Sequence, residues 1–336
     1  MSISFKEDHI SQIPALLMLE KFGYTYLTPD EALALRGGNL ANVLLEPVLR
    51  KQLAAINVVQ VSSMRTTVFS EQNITAGIDA LRNIPMDEGF MEASQTVYDL
   101  LTSGKTLEQI VDGDRKSFVM QYIDWKNPRN NVFHVTEEFA VSRTGMTDTY
   151  RPDIVLFVNG IPLCIIECKR PDVKDSIEQA ISQHLRNQKA DGIRSLYLYS
   201  TLLLAINRQE GSYATTATPE KFWARWREQF TDREEEARYR QELERVVNEP
   251  LLDDKLFGER FDYVHRNFED LYKQPVTPSV QDEYLYSLCR PERLLQLMYG
   301  FTLYDDGIKK VARYQQYFAV RQTMQRIRHI EGGRRR

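Results

Sequence analysis

The stretch IVLFVNGIPLCIIEC, residues 154–168, restricts the possible folds more than any other part of the chain. Two apolar runs flank Asn159-Gly160, and neither alternates between apolar and polar residues. Strands with apolar side chains on both faces must be covered on both faces, so they belong in the middle of a layered structure. Asn-Gly is a strong hairpin signal, because both residues accept the positive φ angles of a tight turn. A buried hairpin covered by helices is therefore the expected centre of the fold. Three polar residues stand at its open end: Asp153 before the first run, and Glu167 and Lys169 at the end of the second. Burial would be easier without them.

Strand register makes a definite demand on this triad. A two-residue turn pairs Val158 with Ile161 and sets Asp153 opposite Ile166, which leaves Glu167 on the other face. A three-residue loop or a single bulge restores parity and brings Asp153 and Glu167 to one face. Pro162, which cannot donate to the ladder, makes such an irregularity reasonable. Glu167 and Lys169, two apart, share a face in either case. Two carboxylates at one site do not both ionise readily without a cation. Mg²⁺ takes one or two protein carboxylates while keeping waters and phosphate oxygens, and the main-chain carbonyl of Cys168 is a natural further donor. Lys169 could then orient or deprotonate an attacking water and offset charge developing on a phosphate. A salt bridge at a strand end is the plain alternative for the same three residues.

The surrounding chain supplies helices for the cover. Residues 8–23 (DHISQIPALLMLEKFG) have apolar residues at helical spacing and stop at Gly23, and residues 40–57 read as a helix broken or kinked near Pro47. Further helices are expected over 74–84 and 94–104, strands over 131–142, a helix over 175–189, and one or two buried strands over 195–207. Strand, strand, helix, strand in that order predicts an α/β fold with a mixed central β-sheet flanked by helices. Residues 219–247 are highly charged and read as helical, with Phe222, Trp223, Trp226 and Phe230 as packing anchors. A less regular stretch, 273–284, precedes a helical end. From residue 307 onward there are nine Lys or Arg against one acid, Glu331, and the final EGGRRR suggests a boundary before a further domain.

Composition excludes several classes. No apolar run approaches the roughly 20 residues of a membrane span, and the N-terminus lacks the basic-then-apolar layout of a signal peptide, so a cytoplasmic location is expected. Three cysteines without a CxxC pair argue against a disulfide scaffold or structural zinc. A net charge of −4 says nothing decisive about nucleic acid, because a local patch suffices for binding. The five histidines (His9, His134, His184, His265, His329) show no paired spacing for zinc, and His184 reads as a helix-surface residue. Glu20, Glu137 and Glu138 could add a carboxylate to the triad, although solvated or salt-bridged roles suit them better. Arg151, Arg170 and Lys174 flank it and could touch phosphates, which sets position rather than sequence preference.

The segment RPDIVLFVNGIPLCIIECKRP resembles the PD-(D/E)xK nuclease motif as it occurs in the restriction (R) subunit of type I restriction-modification enzymes. TYRPDIVLFVNG, LYLYSTLLLAINRQEGSYATTAT, EKFWARWRE and RYQQYFAVRQTMQRI resemble that subunit's N-terminal region in the same order. The resemblance implies a restriction-endonuclease-like α/β domain over 1–260, followed over 261–336 by a helical lead-in to a helicase-type motor. It implies Asp153 and Glu167 as Mg²⁺ ligands and Lys169 as catalytic lysine. Gln183 matches the family's helix glutamine, but the tyrosine expected four residues later is Asn187. Gln316 matches a glutamine that contacts adenine ahead of the motor, with a surface helix role as the alternative. The chain has no G-x-x-x-x-G-K-[ST], so ATP is expected only for a longer protein. Double-stranded DNA and the methylation and specificity subunits are the implied partners. The rival expectation is a docking module that tethers the motor to those subunits, its nuclease silent in isolation.

Overall fold

Six strands form one sheet whose spatial order is the same as their chain order. They are β1 (Thr25–Leu27), β2 (Phe133–Glu137), β3 (Ile154–Val158), β4 (Ile161–Cys168), β5 (Leu202–Ile206) and β6 (Gly211–Ala214). The computed structural model describes residues 11–62, 65–250, 255–258, 260, 262–328, 330–331 and 334–335. The first residues of the helix expected from 8, together with His9 and His329, lie outside that set. Pairing is parallel for β1/β2 and β4/β5 and antiparallel for β2/β3, β3/β4 and β5/β6. The expected mixed α/β architecture is present.

β3 and β4 hold the centre, and every residue of both strands is buried. Asn159 and Gly160 take φ of 52° and 84°, the left-handed turn that their identity predicts. The turn is itself buried: Asn159 Nδ2 donates to the carbonyl of Tyr122 at 3.0 Å and to Asn131 Oδ1 at 2.8 Å. Gly160 is required twice over, because a Cβ there would meet the Leu45 carbonyl oxygen at 2.6 Å.

Helices cover the sheet. Helix α1 (Ile13–Lys21) is buried along most of its length. Helix α2 (Glu46–Ile56) is not kinked at Pro47; it begins there, in the first turn, where a missing N–H leaves no bond unmade. Helix α3 (Ser176–Asn187) makes the crossover that a parallel β4/β5 pair needs, laying Ile177, Ala180, Ile181 and His184 inward at i, i+3, i+4, i+7 spacing. The expected helices near 74–84 and 94–104 run over Glu71–Arg82 and Phe90–Ser103. Helix α4 (Val280–Leu288), capped reciprocally by Ser279 and Asp282, and helix α5 (Tyr314–Arg328) share the core with the sheet through Tyr284, Leu285, Tyr317 and Phe318.

Several expectations change. Residues 195–207 hold one buried strand, within the one or two expected, but the stretch opens with a short helix, Arg194–Tyr197, that was not. Residues 219–232 are not helical: after a single turn at Glu220–Phe222 the chain runs extended, and Ala224 bonds Tyr213 in both directions at 2.8 and 3.0 Å. The open edge of β6 draws this segment into pairing, which helix propensity cannot foresee. The regular helix begins at Arg233, where Asp232 caps the Glu235 N–H. Hairpins outside the sheet, Val58–Ser62 with Arg65–Val68, Lys105–Val111 with Asp114–Met120, and Thr302–Asp305 with Ile308–Val311, were not anticipated, and the last interrupts the end expected to be helical.

Candidate active site

The register of β3 and β4 decides where the triad goes. Val158 faces Ile161 and Phe157 faces Pro162, but Leu156 then faces Cys164. Leu163 is the extra residue of a bulge immediately after Pro162. From there Ile154 pairs with Ile166, so the next positions along the two chains, Asp153 and Glu167, fall opposite one another and on one face. Without the bulge the two carboxylates would be on opposite faces.

The polar atoms are held closely. Asp153 Oδ2 accepts the Cys168 N–H at 2.7 Å. The Lys169 ammonium donates to Asp153 Oδ2 at 3.4 Å and to the Cys168 carbonyl at 3.0 Å. Glu167 is fully buried; its Oε2 accepts from Gln183 Nε2 at 2.6 Å, and its Oε1 has no hydrogen-bond partner among the described residues. Burial first, and then the charge of Asp153, push the Glu167 carboxyl well above the usual range, with Lys169 and Arg186 opposing. Burial likewise pushes the Cys168 thiol up, so its carbonyl rather than its sulfur is the available donor.

The arrangement fits a hard divalent cation. An ammonium already lies between Asp153 Oδ2 and the Cys168 carbonyl, two of the three expected donors, and the third contributes a buried oxygen without a partner. No group of three or more His, Cys, Asp or Glu side chains among the described residues is arranged to hold a metal ion. Two carboxylates and a carbonyl, with the remaining positions left to water or substrate, is a donor set that Mg²⁺ accepts.

Of the other candidates, Glu137 is buried and paired with Arg260, and it accepts from Gln12 Nε2 at 3.0 Å. Gln12 also donates to the Asp153 carbonyl at 3.3 Å, which ties the start of α1 to the triad. Glu138 adopts φ 47° and donates its N–H to the Asp153 carbonyl at 3.1 Å; burial and the Asp153 charge raise its carboxyl. Glu20 is buried on α1. Arg151 is exposed, Arg170 pairs with Asp172, and Lys174 is 92% exposed with Asp175 at 4.0 Å. Gln316 Oε1 accepts the Arg313 N–H at 2.8 Å, a capping contact at the start of α5.

His184 is a correction. It is fully buried rather than on the helix surface. Its Nε2 donates to the Leu204 carbonyl at 3.0 Å, so Nδ1 accepts from the Tyr197 hydroxyl at 2.9 Å. Burial lowers its pKa to about 4, so the ring is a neutral brace between α3 and β5. Asn187, where the resemblance implies a tyrosine, is buried with its amide beside the Tyr197 hydroxyl. The sequence offered no sign of Gln12, Arg260 or Tyr197, because each reaches the site by long-range contact and belongs to no local motif.

Residues 4–222 match the family described as "Type I restriction enzyme R protein N terminus". The chain belongs to that family. Among curated relatives of this R-protein N-terminal region, it is 26% identical over 329 residues to the putative type I restriction enzyme MjaIXP endonuclease subunit of Methanocaldococcus jannaschii, covering 95% of this chain and 28% of that protein. It is 24% identical over 331 residues to the type I restriction enzyme HindI endonuclease subunit of Haemophilus influenzae, covering 95% of this chain and 26% of that one. The chain thus spans about a quarter of the length of these relatives. None of the helices among its described residues is long and apolar enough to cross a membrane.

Proposed function

We propose that this R-protein N-terminal region is a Mg²⁺-dependent nuclease that hydrolyses DNA phosphodiester bonds with little intrinsic sequence preference. The bulge at Leu163 carries the reading: it spends a register irregularity in the most buried strand pair to bring two carboxylates to one face. A structural salt bridge needs only Asp153 and Lys169. It gives no reason to bury Glu167 with an oxygen left unbonded.

Asp153, Glu167 and the Cys168 carbonyl would hold the ion. When bound, Mg²⁺ would supply Lewis-acid charge to a phosphate oxygen. The Cys168 N–H fixes the Asp153 carboxylate, and Gln183 fixes that of Glu167, so little reorganisation is needed on substrate binding. The Lys169 ammonium would orient the attacking water and offset charge developing on the phosphate, while the proton of that water passes to solvent. The water oxygen forms the new bond to phosphorus, the bond to the leaving sugar oxygen breaks, and that oxygen takes a proton from solvent water. In a longer protein an ATP-driven motor and the methylation and specificity subunits would decide when and where cutting occurs.

The test is titration of Mg²⁺ or Mn²⁺ into wild type and Asp153→Ala, with metal affinity followed by calorimetry and plasmid nicking on a gel. Metal binding and nicking that both vanish in the variant are the expected result. Identical metal affinity in the two proteins would refute the assignment of Asp153. Metal binding without nicking by the wild type would turn the reading toward a docking module.

A further inference from the structure

One exposed cation beside the site has an unusual setting. Arg186 lies on α3, three residues beyond Gln183 and so on nearly the same side of the helix. Its guanidinium carbon sits over the Tyr150 ring, 4.9 Å from the centroid, and Tyr150 is three residues ahead of Asp153. The same ring carries Arg143, at 4.5 Å. The two arginines are otherwise unalike. Arg143 is anchored by Asp148 at 3.0 Å and by Asp191 at 2.7 Å, and its Nε donates to the Asp191 carbonyl at 3.0 Å. Its charge is therefore offset and its donors are engaged. Arg186 has no ion pair or hydrogen-bond acceptor among the described residues, yet its charge is felt at the buried Glu167 carboxyl.

A guanidinium that is held over a ring, beside a candidate catalytic centre and with its donors unengaged, is suited to an anion that arrives from solvent. Phosphodiester oxygens match the planar fork of arginine in geometry and charge. We propose that Arg186, kept in place by the Tyr150 ring, binds a backbone phosphate of the duplex next to the bond to be cut. Arg143 acts as the fixed support for that ring. The inference rests on the nuclease reading and adds to it the residue that seats the strand. The contact carries no sequence information, in keeping with a module whose target is chosen elsewhere.

The experiment measures affinity for a short DNA duplex against salt concentration, with Ca²⁺ in place of Mg²⁺ to prevent cutting. Wild type, Arg186→Ala, Arg186→Lys, Tyr150→Leu and a distant control, Arg240→Ala on the helix Arg233–Val247, are compared. Loss of one phosphate contact lowers the slope of log affinity against log salt by about 0.9, which is roughly an eightfold loss at 0.1 M salt that fades towards 1 M. Arg186→Ala is expected to show this change. Arg186→Lys and Tyr150→Leu keep the charge, so they are expected to bind more weakly with the wild-type slope. Inorganic phosphate at matched ionic strength is expected not to compete, which separates a duplex backbone from a free anion.

An unchanged slope in Arg186→Ala, or an equal drop in Arg240→Ala, overturns the inference even if wild type nicks plasmid with Mg²⁺. The expected slope change together with absent nicking would retain Arg186 and count against the nuclease reading. Failure of wild type to bind duplex would overturn both.

Discussion

Glu167→Gln should stabilise the metal-free protein at neutral pH while removing its response to Mg²⁺. The side chain is fully buried, one oxygen has no partner, and burial with the Asp153 charge raises its carboxyl well above the ordinary value of about 4.5. An acid whose folded pKa lies above its unfolded one loses protons first in the unfolded chain, so stability falls as pH rises from about 4.5. The ceiling on this penalty at pH 7 is the free energy of protonating an ordinary carboxyl there, about 3 kcal/mol. Glutamine keeps the shape, can still accept from Gln183, and offers an N–H to Asp153. For 336 residues the unfolding entropy is about 0.7 kcal/mol/K, so 1 kcal/mol is about 1.4 °C and the gain should not exceed about 4 °C. Mg²⁺ at ten times its Kd should add about 1.4 kcal/mol, or about 2 °C, to the wild type alone. Thermal melts at pH 5 and pH 7, with and without Mg²⁺, test all of this. The advantage should shrink at pH 5, where the unfolded wild-type carboxyl is largely protonated. A variant less stable than wild type without metal, or one that gains equally from Mg²⁺, would refute the reasoning.

Lys309 is nearly fully buried, donates to the Ser200 carbonyl at 2.9 Å, and is lowered by burial to about 7. Its folded pKa lies below its unfolded one, so the unfolded chain holds the extra proton between about pH 7 and 10.5 and stability rises with pH through that window. Lys309→Met should therefore stabilise the protein at pH 7 by a few kcal/mol and flatten that rise in denaturant titrations; a destabilised variant would show that the bond to Ser200 outweighs the burial of charge. Gly160→Ala should cost about 2 kcal/mol or more, because φ is 84° and the new Cβ meets the Leu45 carbonyl at 2.6 Å. Chemical denaturation would check it, and a loss under 0.5 kcal/mol would mean that the segment before α2 yields easily.

The hairpin, its turn and the polar triad were legible because each depends on residues close in sequence. Doubly apolar runs, Asn-Gly, and an Asp and a Glu-x-Lys at the open end all lie within residues 153–169. The bulge was legible only as a condition: parity required an irregularity and Pro162 suggested where, but a three-residue turn would have served equally. Misreading 219–232 as helix had the opposite cause. Its charged and aromatic composition suits a helix, whereas its conformation is set by the open edge of β6, supplied by residues 211–214.

By itself, the sequence determined that this chain must bury a two-stranded unit and that two carboxylates and a lysine would stand at its end. Periodicity and turn chemistry are local properties, and they survive without knowledge of neighbours. Only the tertiary structure decided that Leu163 is the residue squeezed out, so that Asp153 and Glu167 meet. It also decided that Gln12 and Gln183, far apart in the chain, hold the two carboxylate-bearing segments, and that Tyr150 and Arg143 present Arg186 beside them. Those contacts depend on the packing of helices against the sheet, and no spacing along the chain encodes them.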